Sequence, residues 1–96
     1  MSAIQIKVDG DQVSLIYEEK NGENIARRLN QLKDALGITW YGMAAVFGLK
    51  PTEASVRLFK RWARDPSLAS YQEMPESQWK YLLTLTEGQE VIKRQD

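Results

Sequence analysis

The sequence predicts a mostly α-helical domain, a bundle of about four helices preceded by a β-hairpin. Apolar residues alternate with polar ones on both sides of Asp9-Gly10, a dipeptide typical of tight hairpin turns. From residue 24 onward they recur every three or four positions, the period of an amphipathic helix. The 96 residues, 43% hydrophobic and 27% charged, predict one folded domain over 1–96.

The predicted hairpin covers residues 3–17. With Asp9-Gly10 as a two-residue loop, Ile6 lies opposite Val13, and one face of the ribbon is apolar. A hairpin alone is barely stable in water. Its apolar face therefore has two open roles. It either caps the helical core of its own chain, or it pairs with a second copy in a homodimer.

Three helices are predicted within 24–64. The first covers 24–36, with Asn24 as its N-cap and Gly37 as its stop. Its apolar stripe consists of Ile25, Leu29, Leu32 and Leu36. The second begins at Thr39, a favourable N-cap, and continues to Phe47 before Gly48.

The third helix is predicted over 51–64, with Pro51 at its first position, where a missing N–H costs nothing. Residues 65–74 are predicted to form a loop. A fourth helix is predicted over 75–87, with an inward side formed by Trp79, Leu82, Leu83 and Thr86. Residues 89–96 are expected to be a polar tail, frayed or a short helical extension.

The formal net charge is zero, but the charges are segregated along the chain. Residues 50–64 carry five basic and one acidic residue, a net charge of +4. Residues 1–24 and 65–96 each carry a net charge of −3. Because the Debye length is about 8 Å at physiological salt, the basic segment can act locally on a nearby polyanion.

Composition argues against several function classes. The chain has no cysteine and no histidine, so the usual metal sites are not expected. It shows neither a nucleophile paired with a base nor a glycine-rich phosphate loop. We therefore expect no enzymatic activity, no cofactor and no small-molecule substrate. Neither a signal peptide nor an apolar run of about 20 residues is evident, so a cytoplasmic location without membrane contact is expected.

Two short helices joined by a glycine-containing turn, the second of them basic, are typical of a helix-turn-helix. Over residues 35–64 the pattern resembles the helix-turn-helix of Cro- and Xre-type phage and plasmid regulators. The matching positions are Ile38-Thr39, Met43-Ala44, Phe47-Gly48-Leu49, Val56, Phe59 and Trp62. In that family a small residue lets the helices pack closely, a glycine occupies the turn and an aliphatic residue anchors the second helix. Ala44, Gly48 and Val56 match these roles.

The sequence departs from the family at the turn. Between Gly48 and Val56 it is about two residues longer than the family's turn. Either the turn is extended, or Ala54 is the anchor of the second helix. The N-terminal hairpin is also not part of the minimal family domain.

A helical projection of residues 51–64 separates an apolar side from a basic side. The candidate DNA-binding residues on or near this helix are Lys50, Thr52, Glu53, Ala54, Arg57, Lys60, Arg61 and Arg64. Arg57 and Arg61 are neighbours at i and i+4, and arginine can donate two hydrogen bonds to guanine in the major groove. The cations at the edges suit phosphates. Ala54 offers a methyl-sized contact to thymine.

Two further candidates, Arg27 and Arg28, lie on the first helix, where they are expected to reach the DNA backbone. The resulting hypothesis is sequence-dependent binding of double-stranded DNA, with the 51–64 helix in the major groove. The resemblance implies a small transcriptional repressor that occupies an operator. Tight specific binding usually needs two such helices about 34–36 Å apart, so a homodimer is expected. The alternative is a protein-interaction or inhibitor module whose basic helix binds an acidic protein surface.

Overall fold

The structure is a computed structural model that describes the backbone of residues 3–93 and the side chains of residues 3–88. Its elements in chain order are β1 (Ile4–Asp9), β2 (Gln12–Tyr17), α1 (Gly22–Leu36), α2 (Trp40–Val46), α3 (Glu53–Trp62), α4 (Glu76–Glu87) and β3 (Gln89–Lys93). The predicted fold class, four helices with an N-terminal antiparallel hairpin, is confirmed.

The sheet contains a third strand that the sequence analysis does not predict. The strand order is β2-β1-β3, with β1 antiparallel to β2 and parallel to β3. The prediction of a polar tail is therefore wrong over Gln89–Lys93, and residues 94–96 lie outside the described residues. The strand forms because the second edge of β1 carries backbone N–H and C=O groups that need partners.

The hairpin loop is Gly10-Asp11, one residue later than predicted. Ile6 consequently lies opposite Leu15, and the predicted pairing of Ile6 with Val13 is wrong. Gly10 has φ +62°, and no non-glycine residue within 3–93 has positive φ, as in a type II′ turn with glycine at its first central position. Because the pairing shifts by an even number of residues, each side chain stays on its predicted face.

Helix α1 begins earlier than predicted. Its N-cap is Asn21, whose Oδ1 accepts a hydrogen bond of 2.8 Å from the backbone N–H of Asn24. Asn24 lies in the first turn, where its amide donates to the carbonyl of Glu19 at 2.9 Å. Gly37 ends the helix in the left-handed conformation, as predicted. Leu36 is exposed rather than part of the buried stripe, because it is the last residue of the helix.

Helix α3 is shorter than predicted. Its N-cap is Thr52, and Pro51 precedes the cap instead of occupying the first helical position. Thr52 serves as the cap because its hydroxyl accepts a hydrogen bond of 3.5 Å from the N–H of Ser55, whereas the proline side chain has no acceptor. The helix ends at Trp62, two residues before the predicted end. The other two helices agree with the predicted bounds to within a residue.

The core is formed by apolar side chains from all four helices, from β1 and from the connections that follow α2 and precede α4. Its buried members are Ile4, Ile25, Leu29, Leu32, Met43, Ala44, Phe47, Phe59, Trp62, Met74, Trp79, Leu82 and Leu83. Within the sheet, Ile4 is buried while Val13 and Leu15 are exposed. The apolar face of the hairpin therefore caps the core only at the end nearest the helices.

An ion-pair cluster joins the end of the hairpin to two helices. The Arg28 side chain on α1 is only 8% exposed, and it contacts Glu18 and Glu87 at 2.8 Å each. Burial opposes the charge of Arg28, but the hydrogen bonds to both carboxylates outweigh it, so the pKa of Arg28 is raised. The same contact with Arg28 lowers the pKa of Glu87. The indole N–H of Trp79 also donates to the carbonyl of Glu18, at 2.8 Å.

A second cluster holds the hairpin against the start of α4. Lys20 donates to the carbonyl of Met74 at 2.6 Å and pairs with Glu76 at 2.9 Å. The hydroxyl of Tyr17 donates to the same Glu76 carboxylate at 3.0 Å. The hydrogen bond from Lys20 lowers the pKa of Glu76.

The Arg28 cluster generates a stability prediction. Arg28→Met should lower the free energy of unfolding by about 2 kcal/mol, below the range for fully buried pairs because Glu18 and Glu87 keep partial contact with water. For a domain of this size that lowers Tm by roughly 8–16 °C. The matched control is Arg27→Met, since Arg27 is half exposed and should cost less than about 1 kcal/mol. Equal losses in the two variants, measured by thermal unfolding, would contradict the structural role of Arg28.

Candidate nucleic-acid interface

An aromatic cluster fixes α3 against α2. The ring of Phe59 on α3 lies 5.6 Å from Phe47 and 5.9 Å from Trp40, and Trp62 lies 5.5 Å from Phe59. Tyr81 on α4 packs edge-on against Phe47 at 5.6 Å. Such tilted ring contacts add to the apolar area that the rings bury. The inner side of α3 is therefore held rigidly, and its outer side is presented to solvent.

The turn between α2 and α3 spans residues 47–52. It is longer than the usual helix-turn-helix connection. The turn is therefore extended. Ala54 is exposed, and Val56 is half-buried where it lines a groove beside Trp40, while Leu58 is the partly buried α3 residue that packs against the core. The N–H of Leu49 donates to the carbonyl of Ala44 at 2.8 Å, and Gly48 takes φ +73°.

The outer side of α3 carries most of the predicted site residues. The exposed ones are Glu53, Ala54, Arg57, Lys60, Arg61 and, just past the helix, Arg64. At 3.6 residues per turn they occupy an arc of about 120° with Arg57 near its centre. Lys50 and Thr52 are exposed in the preceding turn, where the Thr52 hydroxyl serves as the N-cap. We call these eight exposed residues, six on the arc and two in the turn before it, the α3 face.

The cations of the α3 face differ from three other basic residues in whether they form ion pairs with carboxylates. Within residues 3–88, no carboxylate forms an ion pair with any of Lys50, Arg57, Lys60, Arg61 and Arg64. By contrast, Lys20, Arg27 and Arg28 are all paired with glutamates. Positive charge is therefore concentrated on one exposed helix surface, where five cations outnumber the single carboxylate of Glu53.

The two predicted site residues on α1, Arg27 and Arg28, are not part of the α3 face. Arg28 is buried in its ion-pair cluster, so it is not placed to contact a phosphate. Arg27 is half exposed, but it is bound to Glu18 and donates to the Asn24 side chain at 3.3 Å. The sequence pattern missed these pairings because Glu18 is nine to ten residues away from both arginines.

Two grooves border the α3 face. On the Lys60 side, an apolar groove between α1 and α3 is lined by residues that include Trp40, Val56 and Ala63. On the Arg61 side, a polar groove contains Gln72 from the 65–74 loop. The backbone N–H of Gln72 donates to the carbonyl of Arg61 at 3.3 Å.

Gln72 is the site residue that the sequence analysis missed. No local pattern marks it, because it reaches the helix only when the loop folds back along α3. The same loop supplies Ser70, whose hydroxyl accepts a 2.7 Å hydrogen bond from Arg64. Arg64 is therefore held in place at the edge of the α3 face.

The described residues contain no group of three or more acidic, histidine or cysteine side chains arranged to hold a metal ion. None of the described helices has the length and apolar composition needed to cross a membrane. No protein-family model, curated protein or solved structure shows significant similarity to the chain.

The conformation of Gly48 generates a second stability prediction. A side chain at φ +73° costs about 1–2 kcal/mol, although the space around the position is open. Gly48→Val should therefore lower the thermal stability, whereas Gly48→Asn should lower it less, because asparagine tolerates this backbone region. Thermal unfolding followed by circular dichroism compares the two. If valine proves as stable as asparagine, the turn does not depend on the left-handed conformation.

Proposed function

We propose that this protein binds double-stranded DNA in a sequence-dependent way, with α3 in the major groove. The observation that carries the proposal is the cluster of exposed cations on the α3 face, none of them ion-paired to a described carboxylate. The major groove is about 12 Å wide and admits one α-helix. An unneutralised basic helix surface is suited to a groove bordered on both sides by phosphates.

Base recognition is assigned to the centre of the α3 face. Arg57 and Arg61 are adjacent on the helix surface, and each can donate two hydrogen bonds to O6 and N7 of guanine. Ala54 presents a methyl group on the same surface, which suits the thymine methyl. Glu53 can accept a hydrogen bond from the amino group of cytosine. Gln72, beside Arg61, adds an amide that can pair with adenine.

Phosphate contacts are assigned to the edges of the face. Lys60 lies at one border of the arc, Arg64 lies just past the end of the helix, and Lys50 lies in the turn that precedes it. Such contacts fix the register of a protein on the duplex and carry no sequence information. Arg27 could add to them only by giving up its contact with Glu18, and Arg28 is left out of the proposed interface.

The aromatic cluster supports this use of α3. Because Phe59 and Trp62 are buried against α2, the helix presents its cations without rearranging when it binds. A chain of this size that occupies an operator would exclude other proteins from that DNA. We therefore propose that its biological role is that of a small transcriptional repressor.

Replacing the central arginines tests base recognition. Arg57→Ala and Arg61→Ala should each weaken binding to the best site by about 1–3 kcal/mol and relax the base preference there. The site is first selected from a random duplex library, and affinities are then measured by fluorescence anisotropy. The matched control is Lys7→Ala, which removes an exposed cation on β1. If both arginine variants keep wild-type affinity and selectivity, α3 is not the recognition helix.

The salt dependence of binding tests the phosphate contacts. The logarithm of the affinity should fall linearly with the logarithm of the salt concentration, and Lys60→Ala should reduce the slope by about 0.9. It should weaken binding about equally on the selected site and on unrelated duplexes. Lys7→Ala should leave the slope unchanged. No binding to any duplex at low salt would reject DNA and favour an acidic protein surface as the ligand of α3.

A further inference from the structure

The outer edge of β2 lacks the features that normally keep an edge strand from pairing. Strand order places β2 at the edge of the sheet, and its six residues, Gln12–Tyr17, contain no charged residue and no proline. Its ladder with β1 is continuous, so no bulge bends the edge away. An exposed edge whose backbone groups are unprotected by charge, proline or bulge is a template for strand addition.

The opposite edge of the same sheet provides a comparison. Strand β3 contains Glu90 and Lys93 within its five residues, and such charges discourage pairing. The apolar residues of β2 are meanwhile left in water: Val13 is 61% exposed, Ile16 is 49% exposed and Leu15 is 41% exposed. The two edges therefore differ in composition: β3 carries two charged residues, and β2 carries none.

We propose that β2 pairs antiparallel with β2 of a second copy of this chain, giving a two-fold symmetric dimer with one continuous sheet. An isologous interface uses the same patch on both chains. A neutral strand meets this condition without repulsion between like charges. Beyond Tyr17 the chain leaves the edge, because Glu18 is drawn into its ion pairs with Arg27 and Arg28.

The hairpin turn fixes which backbone groups are available. Residues that flank a two-residue loop face each other as a hydrogen-bonded pair, so Gln12 directs its N–H and C=O toward β1. Because the direction alternates along a strand, Val13, Leu15 and Tyr17 direct theirs outward. No other described strand pairs with this edge.

One register uses all of these outward groups. With Leu15 on the two-fold axis, Leu15 lies opposite its copy, and Val13 lies opposite the second copy's Tyr17. These pairs share one face of the sheet, so they partly cover the exposed side chains of Val13 and Leu15. Ile16 lies on the other face, opposite the second copy's Ser14. The outward N–H and C=O groups of the strand find partners at the same time.

The expected dimer is weak. One pair of six-residue strands covers less surface than the roughly 1,200–2,000 Å² of a stable interface. A dissociation constant on the order of 10–100 μM is therefore expected. The dimer goes beyond DNA binding and does not require it, but it would supply two α3 faces to one duplex.

Sedimentation equilibrium of the full chain tests the proposal. Over about 10 μM to 1 mM the mass should rise from 11.0 kDa toward twice that value. Leu15→Lys should remain monomeric throughout, because two like charges would meet at the axis. The matched control is Leu85→Lys on α4: Leu85 is 40% exposed, and its replacement adds the same charge, so this variant should dimerise as the wild type does.

A backbone variant distinguishes pairing of the two strands from non-specific hydrophobic association. Val13→Pro removes an outward N–H and leaves the β1 ladder intact, so it should be a folded monomer by circular dichroism and sedimentation. A folded Val13→Pro chain that dimerises like the wild type would overturn the proposal. So would equal weakening by Leu15→Lys and Leu85→Lys, or a wild-type mass of 11.0 kDa at every concentration, which would leave the edge to a strand from another protein.

The proposal of DNA binding by α3 and the proposal of a dimer through β2 can be rejected separately. Arg57→Ala and Arg61→Ala change the α3 face and should leave the mass of the chain unchanged. The β2 variants change the mass and leave the cations of the α3 face in place. A chain that dimerises without binding DNA rejects the proposed function alone, and a monomer that binds DNA rejects the dimer alone.

Discussion

The guanidinium of Arg28 cannot lose its proton, yet its side chain is almost entirely removed from water. It is tolerated there because Glu18 and Glu87 approach it from the end of the hairpin and from the end of α4. The sheet, α1 and α4 therefore meet at one charged group. β3 begins just after Glu87, so the position of that strand also depends on this contact. The orientation of α3 depends on this arrangement, because α1, α3 and α4 share one hydrophobic core.

Basic residues have two different roles in the molecule. Lys20, Arg27 and Arg28 hold the hairpin against the helices by pairing with glutamates. The cations on the α3 face pair with no described carboxylate, so their charge is available to a ligand. A formal net charge of zero thus conceals two acidic segments, at residues 1–24 and 65–96, and a basic surface on α3. The total charge of a small domain is a poor guide to whether it can bind a polyanion; the pairing of individual charges is a better one.

The helices could be predicted because their signals are local: apolar spacing, a threonine cap before α2 and a glycine after α1. The basic side of α3 followed from the same periodicity. Contacts between distant parts of the chain could not be predicted. Arg28 has the sequence character of a surface cation, because its partner Glu87 lies 59 residues away. Gln72 and β3 depend in the same way on where the loop and the end of α4 are placed. The hairpin loop was misplaced for a local reason, since Gly10 is flanked by two aspartates that suit a turn equally well.

The parallel pairing of β1 with β3 joins Ile4 to Gln89, so the sheet closes a loop that contains all four helices. The entropy of loop closure grows slowly, by about 0.6 kcal/mol for each doubling of length, and does not prevent the pairing. The length of the loop affects the order in which parts of the fold form, because contacts between distant residues form more slowly than local ones. The hairpin and the individual helices can form from neighbouring residues alone. The third strand needs nearly the whole chain, so completion of the sheet is expected to be a late step in folding.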